Sequence, residues 1–272
     1  MNIQSKFVLA MLLLVVFACA TNPFTGKKTM AFVGNNEIFP MAFQQYDAFL
    51  TENKVVKGTK DAKRIVSIGE KIKKAAETYL KSIGQETYLE GYAWEYNLVE
   101  DKAVNAWCMP GGKIVFYTGI LPVCQNDAGI ATVMGHEVAH ALLNHGQQRM
   151  SAEMIQQGLG AGLAIALSEK KAETQQIAMM AFGIGSQTIG MLPFSRSHET
   201  EADEIGLKLM AIAGYNPDSA IDFWQRMAAS SGGNEPMEFM STHPSNTTRV
   251  ANLRKMAPDA KKEAAKFGVH FN

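Results

Sequence analysis

The sequence predicts an α+β fold, mostly helical with one small antiparallel sheet. Three observations predict it. Long stretches place apolar residues at helical spacing, as in residues 61–80, where lysines fill the opposite face. Two short stretches, 92–100 and 105–121, read as strands, and the second turns back on itself through Pro110-Gly111-Gly112, which makes an antiparallel hairpin. Finally, 272 residues with 47% hydrophobic and 19% charged content, free of repeats, suit a single domain with an ample core. Basic and acidic residues balance at 26 each, so nothing favours nucleic acid or an anionic surface as partner.

The elements follow in order. "MNIQSKFVLAMLLLVVFACA" opens with one lysine and an apolar run from Phe7 to Ala18, the pattern of a secretory signal and too short for a comfortable transmembrane helix. Its end, Val16-Phe17-Ala18-Cys19, resembles the bacterial lipobox, with lipid carried on Cys19. A plain signal cut near Ala18 or Ala20 is the competing reading. Ala20, where an aspartate would retain the protein in the inner membrane, points by the same resemblance to the outer membrane. Residues 1–18 are then a lipoprotein signal, 19–34 a lipidated N-terminus and extended tether, and 35–272 the folded domain.

Residues 35–81 read as two helices, the first starting near Asn36 and the two separated by Gly58-Thr59. The strands follow, then a helix from about residue 126. Residues 152–192 hold two apolar stretches around "SEKKAE", each shorter than the ~20 residues that span a bilayer. They read as a packed helix pair or a lid. A helix ends near Gly214, another starts at Asn216-Pro217-Asp218, "SSGGNEPMEF" is a loop, and "STHPSNTTRVANLRKM" leads into the last helix. Export would permit a disulfide between Cys108 and Cys124, while their apolar surroundings equally suit two buried thiols.

The chemistry concentrates in "MGHEVAHALLNHG". Positions i and i+4 share a helix face, so His136 and His140 can reach one zinc ion, and Glu137 lies beside its water as a general base. The surrounding run is apolar nearly all round, which predicts a buried helix. A catalytic zinc needs a third ligand. The metzincin extension is absent, with Leu143 and Gly146 in place of its glycine and histidine. "HETEAD" supplies carboxylates instead: Glu199 and Asp203 share a face, which suits one to the metal and the other to the outer nitrogen of a ligand histidine. Glu201 faces roughly the other way. On the same helical reading His145 lies half a turn from His136 and is structural; His198 and His270 receive no role.

These residues, with "CATNPFTGKK", "NAWCMPGGKIVFYTGIL", "SRSHETEAD" and "THPSNTTR", make the chain resemble the M48 metalloproteases, the Ste24-, HtpX- and Oma1-like gluzincins, most of all their bacterial periplasmic lipoprotein members. The resemblance implies a zincin-like domain with one Zn2+ on His136, His140 and Glu199, Glu137 as base and Asp203 behind a ligand. It implies that an edge strand, Asn105, Ala106, Trp107, Cys108 and Met109, grips extended substrate by main-chain hydrogen bonds. It also pairs His243 with Arg249: His243 donates to the developing oxyanion or caps the zinc at rest, and Arg249 holds it or the substrate backbone.

The function expected is a zinc endopeptidase of the cell envelope, anchored by lipid at the outer membrane on its periplasmic side, that clears unfolded or misassembled envelope proteins. The alternative is a zinc-containing, chaperone-like assembly factor for outer-membrane proteins that cleaves little. The intact H-E-x-x-H argues against an idle structural lipoprotein.

Overall fold

The computed structural model describes residues 19–230, 238–243 and 248–271. Strands β1 (Cys19–Thr21) and β2 (Lys28–Met30) form a hairpin, followed by α1 (Asn35–Glu52), β3 (Val55–Val56) and α2 (Lys60–Ser82). Next come β4 (Glu95–Val99), β5 (Ala106–Met109), β6 (Lys113–Tyr117), a one-turn α3 (Leu121–Cys124) and α4 (Asp127–Leu142). The C-terminal part holds α5 (His145–Ala166), α6 (Ala172–Gly185), α7 (Leu192–Ile212), α8 (Ser219–Ser230), α9 (Glu238–Thr242) and α10 (Arg249–Ala265). The mostly helical α+β expectation is met.

Thr59 starts α2 by accepting the Ala62 N–H, and Ile65, Ile68, Ile72, Ala76 and Leu80 form its buried stripe. Asn126 starts α4 by accepting the Gly129 N–H at 2.9 Å. From Gly129 to Leu142 every residue of α4 is buried, as its apolar composition predicts. It is the central rod of the core, packed by α2, α7 and α8.

The sheet corrects the expectation of an antiparallel one. Its order is β3-β4-β6-β5, with β4 and β6 parallel and the two outer pairs antiparallel. The reason lies in burial. Four of the five residues of β6 are buried and only one of the four in β5, so the hairpin docks on β4 through its more deeply buried strand. That placement leaves β5 at the edge. The hairpin turn needs Gly111 and Gly112, at φ of 83° and 85°, where a Cβ would also strike Phe43 and Trp94.

The expected tether is also corrected, because it folds onto the domain. Phe24 is in the core, stacked on Tyr79 at 5.2 Å. Buried Asn22 donates from Nδ2 to the Leu142 carbonyl at 2.9 Å, satisfying an orphan acceptor at the C-terminal end of α4. The expected loop at 230–239 lies outside the described residues over 231–237, and "PSNT" at 244–247 does too. Cys108 and Cys124 are both free, and burial pushes the Cys124 thiol up to about 12.

The apolar stretch contains α5 and α6, with Phe182 seated against Gly160 and Gln156 Nε2 donating to Ser186 Oγ at 2.7 Å. A π-helical turn over Ser186–Met191 joins the pair to α7. Met154, Leu159, Ile165, Ile177, Met180 and Ile184 on this pair are exposed. No helix among the described residues is long and apolar enough to cross a membrane.

Candidate metal centre

Helices α4 and α7 cross at two glycines. A Cβ on Gly135 would come 2.7 Å from the Gly206 carbonyl oxygen, and one on Gly206 would come 2.9 Å from Gly135. Only glycines allow this approach, and it sets His136, one residue on in α4, against Glu199 and Asp203 on α7. His243 follows α9, whose Phe239 accepts the His243 backbone N–H at 2.8 Å.

Four buried side chains bring donor atoms within 4.8 Å of one another: His136, His140, Glu199 and His243. His136 Nε2 lies 3.1 Å from His140 Nε2, 3.3 Å from Glu199 Oε2 and 3.2 Å from His243 Nδ1. Glu199 Oε1 lies 3.3 Å from His140 Nε2 and 3.1 Å from His243 Nδ1. Ligands about 2.0–2.1 Å from a tetrahedral zinc stand roughly 3.3 Å apart, so these edges are those of a zinc site.

Proton placement agrees. His136 Nδ1 is 3.0 Å from Asp203 Oδ1, which holds a proton on Nδ1 and makes Nε2 the nitrogen that would offer its lone pair to a metal. His140 Nδ1 is hydrogen-bonded to His145 Nδ1 at 2.8 Å, which allows the same for its Nε2. The two Nε2 atoms lie 3.1 Å apart, a contact that needs a cation between them. That cation is a metal ion, or the proton that His136 holds when burial, which lowers its pKa, is outweighed by Asp203 and Glu199, which raise it to about 9. Charge balance gives a third reason. Glu137, Glu199 and Asp203 are three buried carboxylates facing one buried guanidinium, Arg249, which leaves two negative charges for a dication. Each uncompensated buried ion costs several kcal/mol. Zinc fits this donor set.

Around the cluster, Arg249 donates to Asp203 Oδ1 at 2.6 Å and Glu199 Oε2 at 3.2 Å, with its guanidinium 3.4 Å above the Trp224 ring. The expectation is that Arg249 holds His243 or the substrate backbone; the contacts it makes here are to the two carboxylates. Burial pushes Asp203 up, but Arg249 and His136 outweigh it and hold the carboxyl below its ordinary value. Glu137 is raised by burial, and its Oε1 has no hydrogen-bond partner among the described residues, although His243 Nε2 is 3.3 Å away. A carboxylate kept basic and uncommitted suits proton transfer.

A cleft of about 160 Å³ opens beside these groups, lined by Glu137, His140 and His243 on one side and by Trp107 and Cys108 of β5 on the other. Of the expected edge-strand residues, Trp107 and Cys108 line this cleft; Asn105, just before β5, is buried and accepts the Tyr117 N–H through its carbonyl. Cys19 begins β1, paired with Met30.

The helical-wheel reading missed His145, His198 and Glu201. It assumed one continuous helix, but α4 ends at Leu142 and Asn144 takes a left-handed φ of 57°, which swings His145 back behind His140. His145 Nε2 then meets Glu201 Oε2 at 3.4 Å, and Lys27 bonds Glu201 Oε1 at 2.6 Å. The His145 bond and Lys27 hold Glu201 down to about 2. His198 stacks on His145, centroids 3.9 Å apart, and burial lowers it to about 3, so it is neutral. His270 is exposed in the tail.

Comparison with known proteins agrees with this centre. The chain is similar to the mitochondrial metalloendopeptidase OMA1 of Saccharomyces cerevisiae, 38% identical over 204 residues, covering 72% of this chain and 56% of that one. The human mitochondrial metalloendopeptidase OMA1 is 28% identical over 260 residues, 92% of this chain and 49% of its own. The β-barrel assembly-enhancing protease of Escherichia coli is 24% identical over 189 residues, 66% and 38% of the two chains. This chain spans about half the length of the first of these relatives. The pattern of peptidase family M48 matches residues 68–257, and the chain belongs to that family.

Proposed function

We propose that this protein is a zinc-dependent endopeptidase that cleaves extended, unfolded stretches of envelope proteins. The observation that carries the reading is the convergence of imidazole nitrogens and a carboxylate at zinc-ligand spacing, next to an uncommitted Glu137 and a sheet edge left unpaired among the described residues. His136, His140 and Glu199 would hold the zinc. A bound zinc supplies Lewis-acid chemistry, lowering the pKa of a water and drawing charge from a carbonyl oxygen.

The chain's own groups do the rest. An extended peptide adds to β5 through main-chain hydrogen bonds, which ask little of its sequence and select against folded substrates. Glu137 takes the proton of the attacking water as its oxygen bonds the carbonyl carbon, then delivers that proton to the amine as the C–N bond breaks. His243, with Nδ1 among the donor atoms, suits the resting cap better than the oxyanion donor, because it fills the corner an incoming carbonyl needs.

Turnover of unfolded casein tests the reading. Wild type cleaves it, and Glu137→Gln keeps zinc and loses about 10²–10⁴-fold in rate. Casein bound but left intact by wild type would favour the assembly-factor alternative, which the name of the bacterial relative suggests. His243→Ala should raise kcat if it caps the metal; a fall of about 10²–10³-fold would return it to the oxyanion.

The setting we propose is the cell envelope, with lipid on Cys19. Its support is the apolar run 7–18 ending at that cysteine. Cys19→Ser should release the protein from membranes in high salt, and a variant that still sediments with them points to the exposed apolar side chains of α5 and α6.

A further inference from the structure

The two outer nitrogens of the ligand histidines are treated differently. His136 finds a carboxylate directly, whereas His140 finds another imidazole. A hydrogen bond between two ring nitrogens needs one proton, so each partner's tautomer is fixed by what lies beyond it. His145 Nε2 faces Glu201 Oε2, an acceptor only, so Nε2 carries the proton of His145. His145 Nδ1 is then bare and must accept from His140 Nδ1–H. That leaves the lone pair of His140 on Nε2, the atom aimed at the donor cluster.

The surroundings leave His145 no other choice. Its ring is 1% exposed at the side chain and lies parallel to His198, 7° between planes. Neither nitrogen of His198 has a hydrogen-bond partner among the described residues, so His198 braces the ring without competing for its bonds. Glu201 is fixed on its other oxygen by Lys27, which the β1–β2 hairpin carries.

We infer that His145 and Glu201 are positioning residues that hold His140 in the tautomer and ring orientation that ligates the metal, and that Lys27 links this relay to the N-terminal hairpin. The inference rests on the zinc reading above. Replacing partners that orient a ligand histidine weakens metal binding by about 10–100-fold.

The test measures Zn2+ affinity of the full chain against a chromophoric chelator, and the visible spectrum of the Co2+-loaded protein. His145→Phe keeps the ring volume and stacking but cannot accept; its zinc affinity should fall by about 10–100-fold and its cobalt bands should change. His145→Gln, whose carbonyl accepts from His140 while its amide donates to Glu201, should restore most of the affinity and the wild-type spectrum. Glu201→Ala should fall between them. A folded His145→Phe with wild-type affinity and spectrum overturns the proposal, and so does a His145→Gln as weak as the Phe variant, which would mean packing alone matters. Should the Phe variant not fold, the Gln and Glu201→Ala proteins decide: the proposal stands on Gln near wild type and Ala weaker, and falls on the reverse. A wild type with no affinity for Zn2+ overturns the metal reading itself, whereas a zinc-binding wild type with indifferent variants overturns this inference alone.

Discussion

The two flanks of the metal centre start from the same helix, one turn apart, and end in opposite surroundings. Behind His136 lies Asp203, 6% exposed, with its charge met by Arg249, which is itself stacked on Trp224. Behind His140 the path runs through His145 to Glu201 and out to Lys27, whose side chain is 63% exposed. The first flank balances its charge inside the core; the second passes it to the surface. A buried pair resists salt and fails badly when one partner is lost, while an exposed pair contributes little and is screened. The flanks should therefore differ in the size of their failures and in their response to ionic strength.

Removing the ligand they share has the largest effect. Glu199→Ala takes one donor from the cluster and should abolish stoichiometric zinc by metal analysis, whereas Glu201→Ala, which touches only the relay, should retain it. Equal loss in both would erase the distinction between ligand and relay.

Next comes the buried flank. Asp203→Ala strips His136 of its orienting carboxylate and leaves Arg249 partly unpaired in the core. Zinc affinity should fall by about 10–100-fold. Urea unfolding of the metal-free protein should show a loss of about 3–5 kcal/mol, the usual result of breaking a buried pair. His145→Phe should match the first effect without the second, since it strands no charge. If the two variants destabilise the metal-free fold alike, the contrast between the flanks fails.

A smaller change acts on both flanks at once. Gly206→Ala puts a Cβ 2.9 Å from the backbone of Gly135 and His136, so α4 and α7 must separate. Overpacking of this kind costs about 1–3 kcal/mol, read as a lower midpoint in urea with unchanged slope. Zinc affinity should drop with it, because Glu199 and Asp203 ride on α7. Wild-type stability and zinc affinity in this variant would show that the crossing does not set the site.

Much of this was legible in the chain because it is local. H-E-x-x-H states its own geometry, and Glu199 and Asp203 share a helix face by spacing alone. The hairpin showed in its Pro-Gly-Gly turn. What escaped depends on where a helix stops and on what packs at a distance. Asn144 in a left-handed conformation turns His145 back toward His140, and no periodicity encodes that. The parallel β4–β6 pair depends on which hairpin strand lies inside the sheet, and Ala-Trp-Cys-Met and Lys-Ile-Val-Phe-Tyr are both apolar enough to do so. Asn22 and Phe24 looked like tether because their partners, Leu142 and Tyr79, are far along the chain.

The smallest effect falls at the exposed end of the relay, and it is the most discriminating. Lys27 and Glu201 approach to 2.6 Å with side chains 63% and 15% exposed, so the pair is worth about 0.2–1 kcal/mol at most. Glu201 keeps its bond to His145 when the lysine is lost. Lys27→Ala should therefore weaken zinc binding by no more than about fivefold at low salt, measured by chelator competition. The screening length shrinks from about 10 Å at 0.1 M to about 3 Å at 1 M salt, so the gap between wild type and variant should close as salt rises. The Asp203→Ala deficit, buried with Arg249, should stay constant over the same range. A Lys27 gap that persists in 1 M salt would assign that residue to packing of the β1–β2 hairpin against the domain, and would detach the hairpin from the electrostatics of the metal centre.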